Sequence, residues 1–296
     1  MYPRWTNGLA FTGEMVRTEL GIYDEPKIDC HNHVFDPARF PYAGDAYYLP
    51  SGQEVGTSAQ LTRVFDAYGV RNAVVVGPNS GYGENHNECL LDTVAGSEGR
   101  FKGIAVVSND VGRAELERLK AANIIGVTFN AALLGVDYYR NTAGLLADLN
   151  DLDFFVDVQV EGDQLVSLAP LLEDSGVRML VDHCGRPDVQ AGLDQAGFRA
   201  LLRWAGTGRV HVKLSGHYKF SREPYPYRDA WPYLHALIDA FGLDGCVWAS
   251  DWPFLRALES TDYGPLLKLI ELLLPDPADR RKLLWDTPRR LFAFDA

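Results

Sequence analysis

The sequence predicts a (β/α)8 barrel, a single parallel ring of eight strands wrapped by helices. Two observations point there. Short β-branched runs alternate with helix-period segments along 296 residues, and eight such runs spread over about 250 residues match the span of that fold. The other parallel architecture, an open doubly wound sheet, wants a Gly-rich turn after its first strand. That place holds His-Asn-His-Val-Phe-Asp-Pro, residues 31–37.

The runs in order are Lys27–Phe35, Asn72–Pro78, Phe101–Val107, Gly126–Asn130, Phe154–Val160, Arg178–Gly185, Val210–Gly216 and Gly245–Pro253. Each is rich in Val, Ile or Phe and bounded by turn residues. Between the first two, Thr57–Gly69 opens with Thr57 and Gln60 at capping-box spacing. It carries Leu61, Val64, Phe65 and Tyr68 at helical intervals. Gly112–Ala122, Gln164–Ser175, Phe198–Ala205 and Tyr233–Phe241 repeat that pattern. Residues 1–26 precede the first run and are expected to form an arm, leaving 27–296 as one barrel domain.

Composition narrows the class. Twenty-eight basic residues stand against 40 acidic ones, a net charge of −12, with no run of five like charges. Nucleic acid and an anionic membrane surface are therefore poor partners. The N-terminus has no signal-peptide core, and the apolar stretch Leu266–Leu274 is interrupted by Lys268 and Glu271. Cys30, Cys89, Cys184 and Cys246 are scattered without a CxxC pair and read as free thiols. A cytoplasmic protein is expected.

Barrel chemistry sits at the C-terminal strand ends. Strand 1 carries Asp29, His31 and His33, which strict alternation would put on one face. Strand 5 carries Asp157 and Gln159, strand 6 Asp182 and His183, strand 7 Lys213 and Ser215, and strand 8 ends in Ser250-Asp251-Trp252-Pro253. A lone strand histidine is commonly structural, and a strand-end aspartate is commonly a cap. Three imidazoles and a carboxylate converging on one barrel mouth are costly to bury for packing alone.

HxH on strand 1, His183 and Asp251 resemble the amidohydrolase superfamily. The words DCHNHVFDPARFPY, YLP at Tyr48–Pro50, GVTFN, VDHCGRPD, VKLSGHY and SDWP resemble its lactonase branch, from Lys27 to Phe294. That branch holds 2-pyrone-4,6-dicarboxylate lactonases, sulfomuconolactonases and sugar-acid lactonases. The resemblance implies a hydrolase that opens a cyclic ester. Asp251 would act as general base for water, and His31, His33 and His183 would polarise the carbonyl.

Strand 4 offers Thr128 and Asn130 and strand 5 no histidine, so the resemblance leans to a site that requires no cofactor. One Zn2+ on His31, His33, His183 and Asp251 is the alternative. Expected substrate contacts are Tyr48, Ser80, Tyr82, Asn130, Gln159, Tyr218 and Lys219. The dicarboxylate lactonases carry an arginine where Thr128 stands, so a lactone less anionic than a pyrone dicarboxylate is expected. Other readings of the same barrel are a decarboxylase of an aromatic or unsaturated acid, a sugar-acid lactone isomerase, and a non-catalytic binding barrel. Nucleotide-binding glycine motifs are absent. The expected partner is a small-molecule lactone, and the aromatic loops would suit a homodimer.

Overall fold

The computed structural model describes residues 21–44, 46–257 and 261–295. Most of the expected arm therefore lies outside the described residues. Eight strands form one parallel sheet in sequential order. They are β1 (Lys27–Asn32), β2 (Val70–Val76), β3 (Phe101–Ala105), β4 (Ile124–Asn130), β5 (Phe155–Gln159), β6 (Arg178–Val181), β7 (Val210–Leu214) and β8 (Cys246–Trp248). The ring closes through a parallel bridge between Asn32 and Trp252. Two backbone bonds of 2.8 Å flank it, Asp251 N–H to the His31 carbonyl and His33 N–H to the Trp252 carbonyl.

The helix at Ser58–Ala67 starts on the expected box. Thr57 caps the Gln60 amide and the Gln60 side chain returns to the Thr57 amide. Helices at Glu88–Ala95, Ala143–Asp151 and Tyr263–Leu273 were not expected from the pattern. The first two are short, and the third is an apolar run whose outer face carries only Lys268 and Glu271 as charged residues.

Two apolar layers fill the molecule. Ile28, Cys30, Val74, Val76, Ile104, Phe155, Leu180, Val247 and Ala249 pack within the ring, where Phe292 and Phe294 join them. A larger layer joins the outer strand faces to the helices. All four cysteines are free and buried. No helix among the described residues is long and apolar enough to cross a membrane.

Strand β1 departs from strict alternation. Its register with β2 shifts between Asp29 and Asn32. Asp29 turns to Tyr263, whose hydroxyl donates to Oδ2 at 2.9 Å. Its Oδ1 accepts the amides of His31 and Ser250, at 3.2 and 3.1 Å. The irregularity sends His31 inward directly after inward-facing Cys30. Asp29 is thus a buried clamp between the strand-1 bulge and the strand-8 loop, and it does not share the face of His31 and His33.

Candidate active site

Four residues converge at the C-terminal end of the ring. His31 and His33 face each other through Nε2 atoms 3.2 Å apart. Asp251 Oδ1 lies 3.6 Å from His31 Nε2, 3.5 Å from His33 Nε2 and 3.8 Å from His183 Nε2. His33 Nδ1 donates to the Val76 carbonyl at 2.8 Å. A carbonyl only accepts, so Nδ1 carries the proton of this bond and Nε2 is the edge turned to the cluster. His183 Nδ1 pairs with Ser215 Oγ at 2.9 Å.

The backbone makes these placements. His183, Cys184 and Arg186 take left-handed φ values of 50°, 59° and 43°, and Asp251 one of 61°. Such values are costly for non-glycine residues and require support from their surroundings. Gly216 supplies part of it. At φ +60°, a Cβ there would sit 2.6 Å from His183 Cγ, so only glycine lets the imidazole lie against β7's end.

The other oxygen of Asp251 is engaged elsewhere. Oδ2 accepts from Tyr218 Oη at 2.5 Å and from Lys219 Nζ at 2.8 Å. Burial opposes ionisation of Asp251, but the Lys219 ammonium holds its carboxyl well below the usual range. Burial pulls the His31 imidazole down to about 4 and His183 well below its ordinary value. Both rings therefore stand neutral, with lone pairs to offer.

Beneath His31 lies a second polar layer. Lys213 Nζ reaches Asp157 Oδ1 at 2.5 Å, Asp182 Oδ1 at 2.9 Å and His31 Nδ1 at 3.0 Å. All four residues are buried. Lys213 stays protonated against its burial because two carboxylates surround it.

Above the cluster opens a cavity of about 480 Å³, lined by His31, His33, Ser80, Asn130, Gln159, Tyr218 and Lys219 among others. Two expected contacts lie outside its wall. Tyr82 is buried, and its hydroxyl accepts the Asp36 amide at 2.9 Å. Tyr48 donates to Glu54 at 2.5 Å, while its neighbour Tyr47 lines the cavity and pairs with Ser80 Oγ at 3.1 Å.

Arg186 and Arg256 also line the cavity, and neither was singled out from the sequence. Arg186 pairs with Glu161 at 2.9 Å. The Arg256 guanidinium lies 5.5 Å from the Tyr48 ring centroid and has no carboxylate partner among the described residues. Arg186 stood within the word VDHCGRPD and Arg256 lies just beyond SDWP, so both were readable as loop cations near the strand ends.

The expectation that the site requires no metal is overturned. His31, His183 and Asp251, all buried, each offer one ligand atom, and these atoms lie within 4.8 Å of one another. His183 Nε2 and Asp251 Oδ1 are buried without hydrogen-bond partners. Buried orphans of this kind need an explanation, and two nitrogens with a carboxylate suit zinc or manganese. Solved barrels of the same fold carry such ions. A zinc-bound amidohydrolase from Burkholderia multivorans is 22% identical with a TM-score of 0.70, covering 91% of this chain and 99% of its own. A manganese-bound dihydroxybenzoic acid decarboxylase from Polaromonas is 15% identical with a TM-score of 0.62, covering 91% and 97%.

Residues 28–294 match the amidohydrolase family model. A 4-sulfomuconolactone hydrolase from Rhizobium radiobacter is 31% identical over 89% of both chains. A 2-pyrone-4,6-dicarboxylate hydrolase from Comamonas testosteroni is 30% identical over 90% of this chain and 89% of its own. A structure from Acinetobacter baumannii, assigned as a 2-pyrone-4,6-dicarboxylic acid hydrolase and holding citric acid, is 25% identical with a TM-score of 0.83. It covers 90% of this chain and 99% of its own.

Proposed function

Because the chain belongs to the amidohydrolase family, we propose that it hydrolyses a lactone at the cluster of His31, His33, His183 and Asp251. One observation carries the reading. Buried His183 Nε2 and Asp251 Oδ1 lack partners and converge with His31, which with His33 lines a cavity of about 480 Å³. Relatives similar along nine-tenths of the chain act on 4-sulfomuconolactone and 2-pyrone-4,6-dicarboxylate, both cyclic esters with acidic substituents.

A divalent ion held by His31, His183 and Asp251 would polarise the ester carbonyl and acidify water. The remaining work falls to the protein. Asp251 Oδ1 takes a proton from water as the water oxygen bonds to the carbonyl carbon. Tyr218 and Lys219 hold Oδ2, so the carboxylate keeps its orientation through that transfer. When the tetrahedral intermediate collapses, the ring C–O bond breaks, and the proton on Asp251 passes to the departing oxygen. The second water proton leaves the new carboxylic acid for solvent, so the product carries a new carboxylate and a new hydroxyl, or the ketone to which an enol relaxes. Ser80, Asn130 and Gln159 are neutral wall groups suited to hydrogen-bond the ring oxygens.

Charge at the wall bears on the substrate. Lys219 is committed to Asp251 and Arg186 to Glu161, which among the described residues lining the cavity leaves Arg256 to meet an anionic group. A lactone with one exocyclic acid fits that supply better than a dicarboxylate.

The test is proton release from a panel of sulfonated and carboxylated muconolactones, pyrone carboxylates and sugar-acid lactones. Enzyme stripped of metal is compared with enzyme reloaded with Zn2+ or Mn2+, and Asp251→Asn is the control. Turnover confined to the reloaded enzyme, best on a mono-acidic lactone and lost in the control, is expected. If the reloaded enzyme opens no lactone, the reading fails, and carbon dioxide release from aromatic acids becomes the next assay.

A further inference from the structure

We infer that the Lys213 ammonium occupies the place of a second cation, so that the centre accepts one divalent ion and not two. The inference rests on the metal reading of His31, His183 and Asp251 above.

Two buried ligand sets share His31. One is His31, His183 and Asp251; the other is His31, Asp157 and Asp182. On residue types alone both could hold a metal, and the second has more negative charge. Their occupancy differs. In the first set, His183 Nε2 and Asp251 Oδ1 have no partner, as Asp157 Oδ2 has none in the second; the difference is that the second already holds a cation. In the second, Lys213 Nζ lies 2.5 Å from Asp157 Oδ1, 2.9 Å from Asp182 Oδ1 and 3.0 Å from His31 Nδ1. Two of the ammonium's N–H donors go to the carboxylates, while His31 Nδ1–H donates to Asp182 Oδ1 at 3.1 Å and leaves the Nε2 lone pair to the first set.

A divalent ion could enter the second set only if Nζ left. Lys213 is fully buried on β7, and withdrawing its ammonium without a counter-charge is costly. The chain therefore carries its own cation where a two-metal centre would put an ion. The arrangement also assigns the two edges of His31. Nδ1 faces Lys213 and Asp182, and Nε2 faces the first set. Lys213 is in this sense a positioning residue.

The test counts ions. Metal-free full-length enzyme is titrated with Co2+, and bound cobalt is measured per chain by mass spectrometry, with electron paramagnetic resonance reporting spin coupling. Wild type is expected to saturate at one uncoupled ion. Lys213→Ala is expected to rise to two, because Asp157, Asp182 and His31 Nδ1 then face space without a cation. Two coupled ions in wild type would overturn the inference while sparing the lactonase reading. Folded Lys213→Ala that stays at one ion would also overturn it, as would a variant that fails to fold even with excess Co2+. No bound cobalt in wild type would overturn the metal reading itself.

Discussion

Lys219 Nζ lies 2.8 Å from Asp251 Oδ2, while Asp251 Oδ1 is turned toward three imidazoles. One carboxylate thus has one oxygen bound to an ammonium and the other buried without a hydrogen-bond partner. The ammonium keeps Asp251 charged, and it also repels any cation that Oδ1 helps to hold.

Lys219→Gln is therefore expected to bind Zn2+ more tightly, on the order of tenfold, because a unit charge near the ion is removed. Turnover should fall, since Oδ2 loses one of its two anchors. Competition against a chelator measures the first effect, and weaker zinc binding in the variant would contradict the argument.

Gly216→Ala should lose about 2–4 kcal/mol of stability, combining left-handed strain with overpacking. The new Cβ would lie 2.6 Å from both Cγ and Nδ1 of His183. Urea unfolding is the measurement. A variant as stable as wild type would show that β7's end relaxes freely.

Arg256→Ala should reduce kcat/KM for an acidic lactone by about 10- to 100-fold, the worth of a charged hydrogen bond. The loss should appear mainly in KM. A neutral lactone should be unaffected, and Arg256→Lys should recover part of the loss without the planar fork. Equal losses on charged and neutral lactones would remove Arg256 from substrate binding.

Acid should destabilise the fold through histidines remote from the proposed ligands. Burial holds His211 and His217 at about 4, with Arg290 and Arg178 adding to the effect at His211. Unfolded imidazoles bind protons below about 6.5. In the window between, the unfolded chain holds more protons, so stability is full above about 6.5 and is lost as pH falls toward 4. Each histidine contributes a slope of up to about 1.4 kcal/mol per pH unit. Denaturation across that range should show His211→Asn with a shallower slope than wild type, by about one proton.

The ring was legible because its signals are local and repeated. Eight β-branched runs and the Thr57–Gln60 box need no distant partner to be read. The convergence of HxH, His183 and Asp251 followed once the runs were numbered around a barrel. Asp29 was misplaced because the bulge after it interrupts the period of two, and nothing in KIDCHNH marks an irregular register. Lys213 was noted only as a polar strand residue, since its role depends on Asp157 of β5 and Asp182 just past the end of β6. Arg186 and Arg256 sit in loops whose direction depends on left-handed backbone, φ 43° and 56°, which the sequence does not announce. The lean away from metal followed from counting strand-5 histidines; the orphaned atoms of His183 and Asp251 are a property of three-dimensional packing.

The seam of the ring runs through the site. Asp29 and Ser250 meet there across 221 positions of chain, and the next residues along each strand end are His31, His33 and Asp251. A chain whose final strand has not docked holds the histidines without the aspartate. Turnover therefore serves as a readout of completed assembly. Chains truncated before Ser250 are expected to show no activity, and a change that loosens the β1–β8 junction should silence the enzyme before it unfolds it.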